Sequence, residues 1–238
     1  VLDGNPVQRI RPYAAIELPV LDIQDLPREA GVCRALVLAA EFRNKPFEVE
    51  QGPLFRGLLI RLGSAEHLLV LGIHHMLCDG WSIAILEREL SILYARMTAA
   101  VPAEPLPPVL QFHDYVTGAA LRDQHSSDLQ RQQLQWWQQQ LAAVDQRLNL
   151  PGSSRQTGRH SNSAGHLHFT SAGTLVQRLE QSAKNAGATL YMVLVSALGI
   201  LLHCYSRQER FCLGTVTANR SSAELEDMVG FLAKTLPL

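Results

Sequence analysis

The stretch GIHHMLCDGW, residues 72–81, holds the residue types best suited to chemistry. Two histidines stand side by side at the end of an apolar run, and Asp79 and Gly80 follow. A histidine can take or give a proton near neutral pH, and a nearby carboxylate can fix the geometry around it. Adjacent side chains on a strand point to opposite faces, so His74 and His75 cannot both look into one cavity while the strand persists. One of the pair is then structural and the other is free. If the strand ends at His75, that residue enters the loop before the next element, where functional residues of α/β proteins gather.

Asp79 has two readings. As a helix cap it accepts backbone N–H bonds. As a buried carboxylate that fixes the loop it requires a cation, because an unpaired buried charge is costly. Gly80 permits a tight backbone or the close approach of a ligand. Trp81 is expected to pack the helix start, and Ser82 to share the capping. A chance H-H-x-x-x-D-G in such a chain is on the order of one in a thousand against background composition, so the set is more specific than a lone histidine. A metal centre is the weaker reading, since adjacent histidines share no face and no third ligand is spaced to join them. No nucleophile elbow, P-loop or dinucleotide fingerprint occurs.

The elements around the motif follow from periodicity. FRGLLIRL and EHLLVLGIHH are two apolar runs separated by a short turn, which signals a hairpin. The second run is apolar at nearly every position from Leu68 to Ile73, as for a strand covered on both faces. Ile83, Leu86, Leu90 and Leu93 then fall on one helical face, predicting a helix from about Asp79–Ser82 to Met97. Val32, Leu36 and Ala40 predict another over roughly 26–43. PVQRIRPYAAIELPVLDI, HLHFTS and RFCLGTV read as strands. VPAEPLPPV is a proline-rich surface connection. SDLQRQQLQWWQQQLAAV predicts a helix capped by Ser127 or Asp128, with Trp136 and Trp137 in lobe packing. LVQRLEQSAKNAG predicts a helix ending at Gly187, and residues 190–204 a buried apolar helix. The loop LPGSSRQTGRHSNSAG, residues 150–165, carries no hydrophobic period and marks a lobe boundary. This order predicts an α/β fold with both faces of a sheet in use.

Composition narrows the function. Of 238 residues, 47% are hydrophobic and 18% charged, which is globular rather than disordered. A net charge of −1 argues against nucleic acid or an anionic membrane as the main partner. The longest apolar run, near 190–202, is too short to span a bilayer unaided. Cys33, Cys78, Cys204 and Cys212 lie far apart, without metal spacing, and read as reduced, buried thiols of a cytoplasmic protein. No initiating Met, signal peptide or transit peptide stands at the N-terminus, and the C-terminus lacks a closing element, which predicts a fragment of something longer.

IHHMLCDGWS closely resembles the HHxxxDG signature of condensation domains from nonribosomal peptide synthetases, a signature shared with the chloramphenicol acetyltransferase type. VLQFHDYV (109–116) is similar to the family's Tyr-x-Asp-(Phe/Tyr)-Ala segment, and LQWWQQQLAA to the helix after it. Residues 187–220 resemble the start of the family's second lobe, and MVGFLAKTLPL (228–238) its (Ile/Val)-Gly-x-Phe-Val-Asn-Thr motif. The resemblance runs in order over essentially the whole chain. Three positions depart from it: Gly118 stands where the family usually has Trp, Phe112 replaces Tyr, and Lys234 replaces Asn.

The resemblance implies a two-lobed chloramphenicol-acetyltransferase-like α/β sandwich, incomplete at both ends. It implies a partial N-terminal lobe over 1–155, a linker over 156–162, and the start of a C-terminal lobe over 163–238, with the active site in the channel between lobes. The implied activity is peptide-bond formation between a donor acyl or peptidyl thioester and an acceptor aminoacyl thioester. Both would be held on the 4′-phosphopantetheine of carrier proteins, with no cofactor or metal bound by the domain itself. The implied partners are an upstream donor carrier, a downstream acceptor carrier and an adenylation neighbour, with no nucleic acid and no membrane. The resemblance assigns catalysis to His75 and structural support to His74, Asp79 and Gly80. It also makes Arg220, in TANR, the partner of Asp79. Trp81, Ser82 and Lys234 would line the substrate channel. Rival readings are an epimerisation relative, a stand-alone acyltransferase, and a catalytically silent module that recruits carrier or tailoring proteins. Heterocyclisation relatives usually carry Asp in place of the histidine pair, so HHMLCDG speaks against them.

Overall fold

The hairpin forms where alternating burial and a short turn demand it. The computed structural model, which describes residues 7–12, 15–99, 105–125, 127–145, 147–151, 165 and 167–238, pairs β2 (Phe55–Arg61) antiparallel with β3 (His67–Ile73). The turn closes through the N–H groups of Leu62 and Gly63, which both donate to the Glu66 carbonyl. A short β1 (Val20–Asp22) runs parallel to β2, giving the order β1-β2-β3. Of the long N-terminal stretch read as strands, only these three residues pair among the described ones.

Helix α1 (Arg28–Asn44) covers one face of this sheet. Its inward stripe is Gly31, Ala35, Leu38 and Phe42, so small residues let the helix sit close to Leu58, Ile60, Leu68 and Val70. Val32 and Leu36, whose spacing announced the helix, point outward, and Leu36 is 60% exposed. The opposite sheet face leaves Val20, Leu69 and Leu71 exposed among the described residues, so β3 is covered on one face rather than two.

Helix α2 (Gly80–Thr98) follows the histidines. It buries Ser82 and Ile85, while Ile83 and Leu90 remain exposed. Helix α3 (Phe112–His125) starts on a second small core, where Phe112, Tyr115 and Leu110 pack against Leu225, Met228 and Leu232. A 3-10 turn, Ala223–Leu225, carries the first of those buried residues.

The chain falls into two compact units. One comprises Val1–Ala119 with Ala218–Ala233, and the other Ala120–Thr217 with Lys234–Leu238. The linker expected at 156–162 lies outside the described residues. The second unit contains α4 (Ser127–Leu141), α5 (Gly173–Asn185), α6 (Leu190–Ser206) and a two-stranded sheet of β4 (Gly214–Thr217) and β5 (Lys234–Pro237). Helix α4 starts at Ser127, with Asp128 paired to Arg131 in its first turn. Helix α5 runs to Asn185 with Ala186 as its cap, and Gly187 follows as the expected C′ residue with φ 64°. There the Gly187 N–H donates to the Lys184 carbonyl and the Ala188 N–H to that of Ala183, which closes the end of the helix. Thr189 caps α6 through the Met192 N–H. HLHFTS forms no strand among its described residues, and of RFCLGTV only the end enters β4.

Two expectations about burial fail in this unit. Helix α6 has no buried residue, although it is the most apolar of the described helices. Trp136 and Trp137 meet edge to face at 4.8 Å, but Trp136 stays exposed. Cys33, Cys204 and Cys212 are exposed as well, because they lie on faces that no described element covers, and Cys78 alone is buried. All four thiols are free. Among the described residues no single helix is long and apolar enough to cross a membrane.

Candidate active site

Strand β3 delivers the histidines. The His74 N–H donates to the Leu54 carbonyl at 2.9 Å, which extends the pairing one residue past Ile73. The Leu77 N–H then donates to the His74 carbonyl at 2.9 Å, closing a turn with His75 and Met76 at its centre. The His74 ring meets Phe47 edge-on at 5.8 Å, and its Nδ1 accepts the Met76 N–H. His75 meets a different neighbour, Phe231, edge-on at 5.1 Å. The two rings thus go separate ways: His74 is half-buried and His75 exposed.

The His75 Nδ1 lies 2.7 Å from the Cys78 carbonyl oxygen. A carbonyl only accepts, so Nδ1 carries the proton and donates. In the neutral ring Nε2 then keeps its lone pair, and the imidazole is oriented by a backbone bond. The Cys78 thiol is buried, and burial followed by the adjacent Asp79 charge pushes its pKa up, so it stays protonated.

Behind this turn lies a buried ionic knot. Asp79 is 3% exposed, and the Arg220 side chain paired with it 2%. Arg220 donates from Nη1 to Asp79 Oδ2 at 2.9 Å and from Nη2 to Oδ1 at 3.2 Å, a two-pronged fork. Oδ1 also accepts the Ser82 N–H at 2.9 Å and lies 2.8 Å from the Ser82 hydroxyl. Oδ2 accepts the N–H groups of Leu232 at 3.1 Å and Ala233 at 3.2 Å. Asp79 is therefore helix cap and buried carboxylate at once. Burial alone would raise its pKa, but the bonds from Arg220, Ser82 and Leu232 outweigh it and hold the carboxyl well below the usual range. Arg220 also donates to the Ala218 and Met228 carbonyls, and its guanidinium carbon sits 5.6 Å from the Trp81 ring centroid.

The remaining predicted residues divide. Ser82 was expected in a substrate channel but is fully enclosed, its Oγ between Asp79 and the Gly230 backbone, where it accepts the Gly230 N–H at 3.0 Å. It therefore supports the knot and offers no surface to a substrate. Trp81 donates its indole N–H to the Glu226 carbonyl at 2.8 Å while 47% of the residue stays exposed. A Cβ built on Gly80 would meet nothing within 4 Å, so no packing demands glycine there. Lys234 lies exposed on β5, in the other compact unit.

Sequence reading missed Phe231, Gly230 and the amides of Leu232 and Ala233. The signal was available: two carboxylate oxygens offer more acceptor sites than one arginine fills, so further donors had to converge on Asp79.

Comparison with known proteins identifies the family and the fold. The condensation domain family profile matches residues 2–238, and the chain belongs to that family. It is 36% identical over 235 residues to chondramide synthase CmdD of Chondromyces crocatus, covering 98% of this chain and 6% of that protein. It is 33% identical over 237 residues to tyrocidine synthase 3 of Brevibacillus parabrevis, covering 100% of this chain and 3% of that protein. The X-domain from teicoplanin biosynthesis superposes with a TM-score of 0.82 at 26% identity, over 97% of this chain and 50% of its own. The first condensation domain of the calcium-dependent antibiotic synthetase gives 0.70 at 22% identity, over 95% and 51%. The fold is thus the chloramphenicol-acetyltransferase-like α/β fold of condensation domains. The chain spans about half the length of these solved structures and a far smaller share of the curated relatives.

Proposed function

We propose that this chain carries the histidine of a peptide-bond-forming condensation domain in a nonribosomal peptide synthetase. The acceptor's α-amine attacks the carbonyl of the donor thioester, both substrates being tethered to 4′-phosphopantetheine arms of carrier domains. The C–N bond forms, the C–S bond breaks, the donor arm leaves as thiolate, and the amine proton ends on that sulfur. An α-amine has an ordinary pKa of about 7.7–8.0, so much of it is already neutral at cellular pH. The thioester is already activated, and positioning supplies much of the acceleration.

One observation carries this reading: His75 is exposed at a strand end with Nδ1–H tied to the Cys78 carbonyl. Its Nε2 is then an oriented proton acceptor. This supports removal of the proton from the attacking nitrogen over donation to the oxyanion. Asp79 and Arg220 act behind it as scaffold, and the open space at Gly80 suits an approaching substrate arm. The partners in this reading are an upstream donor carrier, a downstream acceptor carrier and an adenylation neighbour. The lobe boundary at 156–162 belongs to the same proposal. Free thiols, three of them exposed, suit a reducing cytoplasm.

A second reading has its own support. The teicoplanin X-domain, which shares this fold, is also known in complex with OxyB, so the fold can serve docking. The test uses the complete parent domain with both neighbouring carriers loaded, reading the peptidyl-thioester by mass spectrometry. His75→Ala is expected to lower the rate by about 10²- to 10⁴-fold with folding intact. Absence of product from the native domain would favour recruitment. Equal product from both would remove His75 from the chemistry.

A further inference from the structure

We propose that Arg56 is a positioning residue: by holding Phe47 against His74 it fixes the turn from which His75 projects. This rests on the catalytic reading of His75 given above.

Arg56 sits on β2 opposite Gly72 of β3, on the same sheet face as His74. Its side chain crosses Gly72 so closely that a Cβ there would come within 3.2 Å of Arg56 Cγ and 3.3 Å of Nε. The glycine before the histidines is thus the slot in which the arginine lies. Beyond it the guanidinium gathers the end of α1. Nη2 donates to the Phe42 carbonyl at 3.0 Å and to the Lys45 carbonyl, and Nη1 donates to the Pro46 carbonyl at 3.2 Å. The same group lies over the Phe47 ring, 4.0 Å from its centroid. Phe47 is then the ring that meets His74 edge-on at 5.8 Å.

The chain of contacts reaches the reactive group in two further steps. His74 holds the turn at both ends, its Nδ1 accepting the Met76 N–H and its carbonyl accepting the Leu77 N–H. His75 occupies the centre of that turn, and its Nδ1 reaches the next carbonyl, Cys78, at 2.7 Å. Lysine at position 56 would keep the charge but lose the planar fork that spans three carbonyls and stacks on a ring.

The test compares Arg56→Lys, Phe47→Leu and their double variant in the complete parent domain with loaded carriers. Ile60→Val, in the sheet core away from the turn, serves as the destabilised control. Both single variants are expected to lower kcat by about ten- to a hundredfold with KM for the carrier-bound acceptor unchanged. The double variant should lose no more than the worse single, since the two act in one chain. Nitrogen NMR of the His75 ring should show the Nδ1–H form in the native domain and a mixture of tautomers in Arg56→Lys. A kcat loss in Ile60→Val equal to that in Arg56→Lys would overturn the proposal, as would an unaltered His75 ring or independent losses in the double variant. If the native domain makes no product, the ring spectra still decide the role of Arg56, while the condensation reading fails separately.

Discussion

At the residue scale the strongest commitment is the burial of Asp79 with Arg220. Breaking a buried pair leaves a charge without compensation. Asp79→Asn is expected to cost about 3 kcal/mol or more in urea unfolding of the parent domain. The pH dependence has a definite sign. The folded-state pKa of Asp79 lies below that of the unfolded chain, so the unfolded chain takes up the proton first as pH falls. The stabilisation is fully present above about pH 5 and is lost as pH drops through and below the ordinary aspartate value near 4. The unfolding midpoint of the native domain should therefore fall between neutral pH and about pH 3 by more than that of Asp79→Asn. Gly80 makes the opposite kind of prediction. A methyl group there meets nothing, and alanine is the better helix former by up to about 1 kcal/mol. On the proposed condensation reading, Gly80→Ala should hold or raise the melting temperature yet slow product formation, the new Cβ entering the open space assigned there to a substrate arm. A slower rate with lost stability would instead make Gly80 structural. The histidine pair and Asp79 were visible because charge and spacing are written in residue types, whereas only the family resemblance singled out His75 within the pair and Arg220 as the partner of Asp79. The sequence hid Leu232 and Ala233, because their contribution is a backbone N–H that every non-proline residue carries.

At the scale of elements, the types of the long helices other than α3 were legible and their buried faces were not. Val32 and Leu36 set the period of α1, but Gly31 and Ala35 make its contact, because a helix lying close to a sheet needs small residues there. Periodicity counts apolar side chains and is blind to a face whose value is its lack of bulk. The extents of the short strands were hidden for another reason: β1 and β4 form only where partners distant in sequence reach them, which no local window contains, and β5, the partner of β4, was not expected at all. The same close-approach logic gives a prediction where α3 meets the segment after the 3-10 turn. A Cβ at Gly230 would lie 2.4 Å from Phe112 Cδ2 and 3.0 Å from Cγ, and the Gly230 backbone is held by Ser82. The ring cannot swing away without leaving the core of Leu225, Met228 and Leu232. Gly230→Ala should therefore destabilise the parent domain by about 1–3 kcal/mol, read as a lower midpoint in denaturant. Gly230→Ala combined with Phe112→Leu should recover part of that loss, since the smaller side chain vacates the contested volume.

At the scale of the molecule, the apolar faces predict how this chain behaves by itself. A helix that is apolar all round belongs inside a protein. Helix α6 packs on α5, yet Leu194, Leu198, Ile200 and Leu201 remain exposed among the described residues, and Ile200 is 66% exposed. The bare face of the three-stranded sheet adds Val20, Leu69 and Leu71. Fully burying a side chain of this kind contributes about 1.5–3 kcal/mol, so the stabilisation forgone at several of them is comparable to the ordinary margin of a folded domain. The solved structures that share this fold are about twice as long. The 238-residue chain prepared alone should therefore bind 8-anilinonaphthalene-1-sulfonate strongly and self-associate at micromolar concentration. The parent domain should do neither. Hydrogen exchange provides the sharper measurement. Amides of α6 should exchange quickly in the isolated chain and slowly in the parent domain, while those of β2 and β3 next to α1 stay protected in both. Slow exchange of α6 in a monomeric isolated chain would mean that the helix finds its cover within these 238 residues.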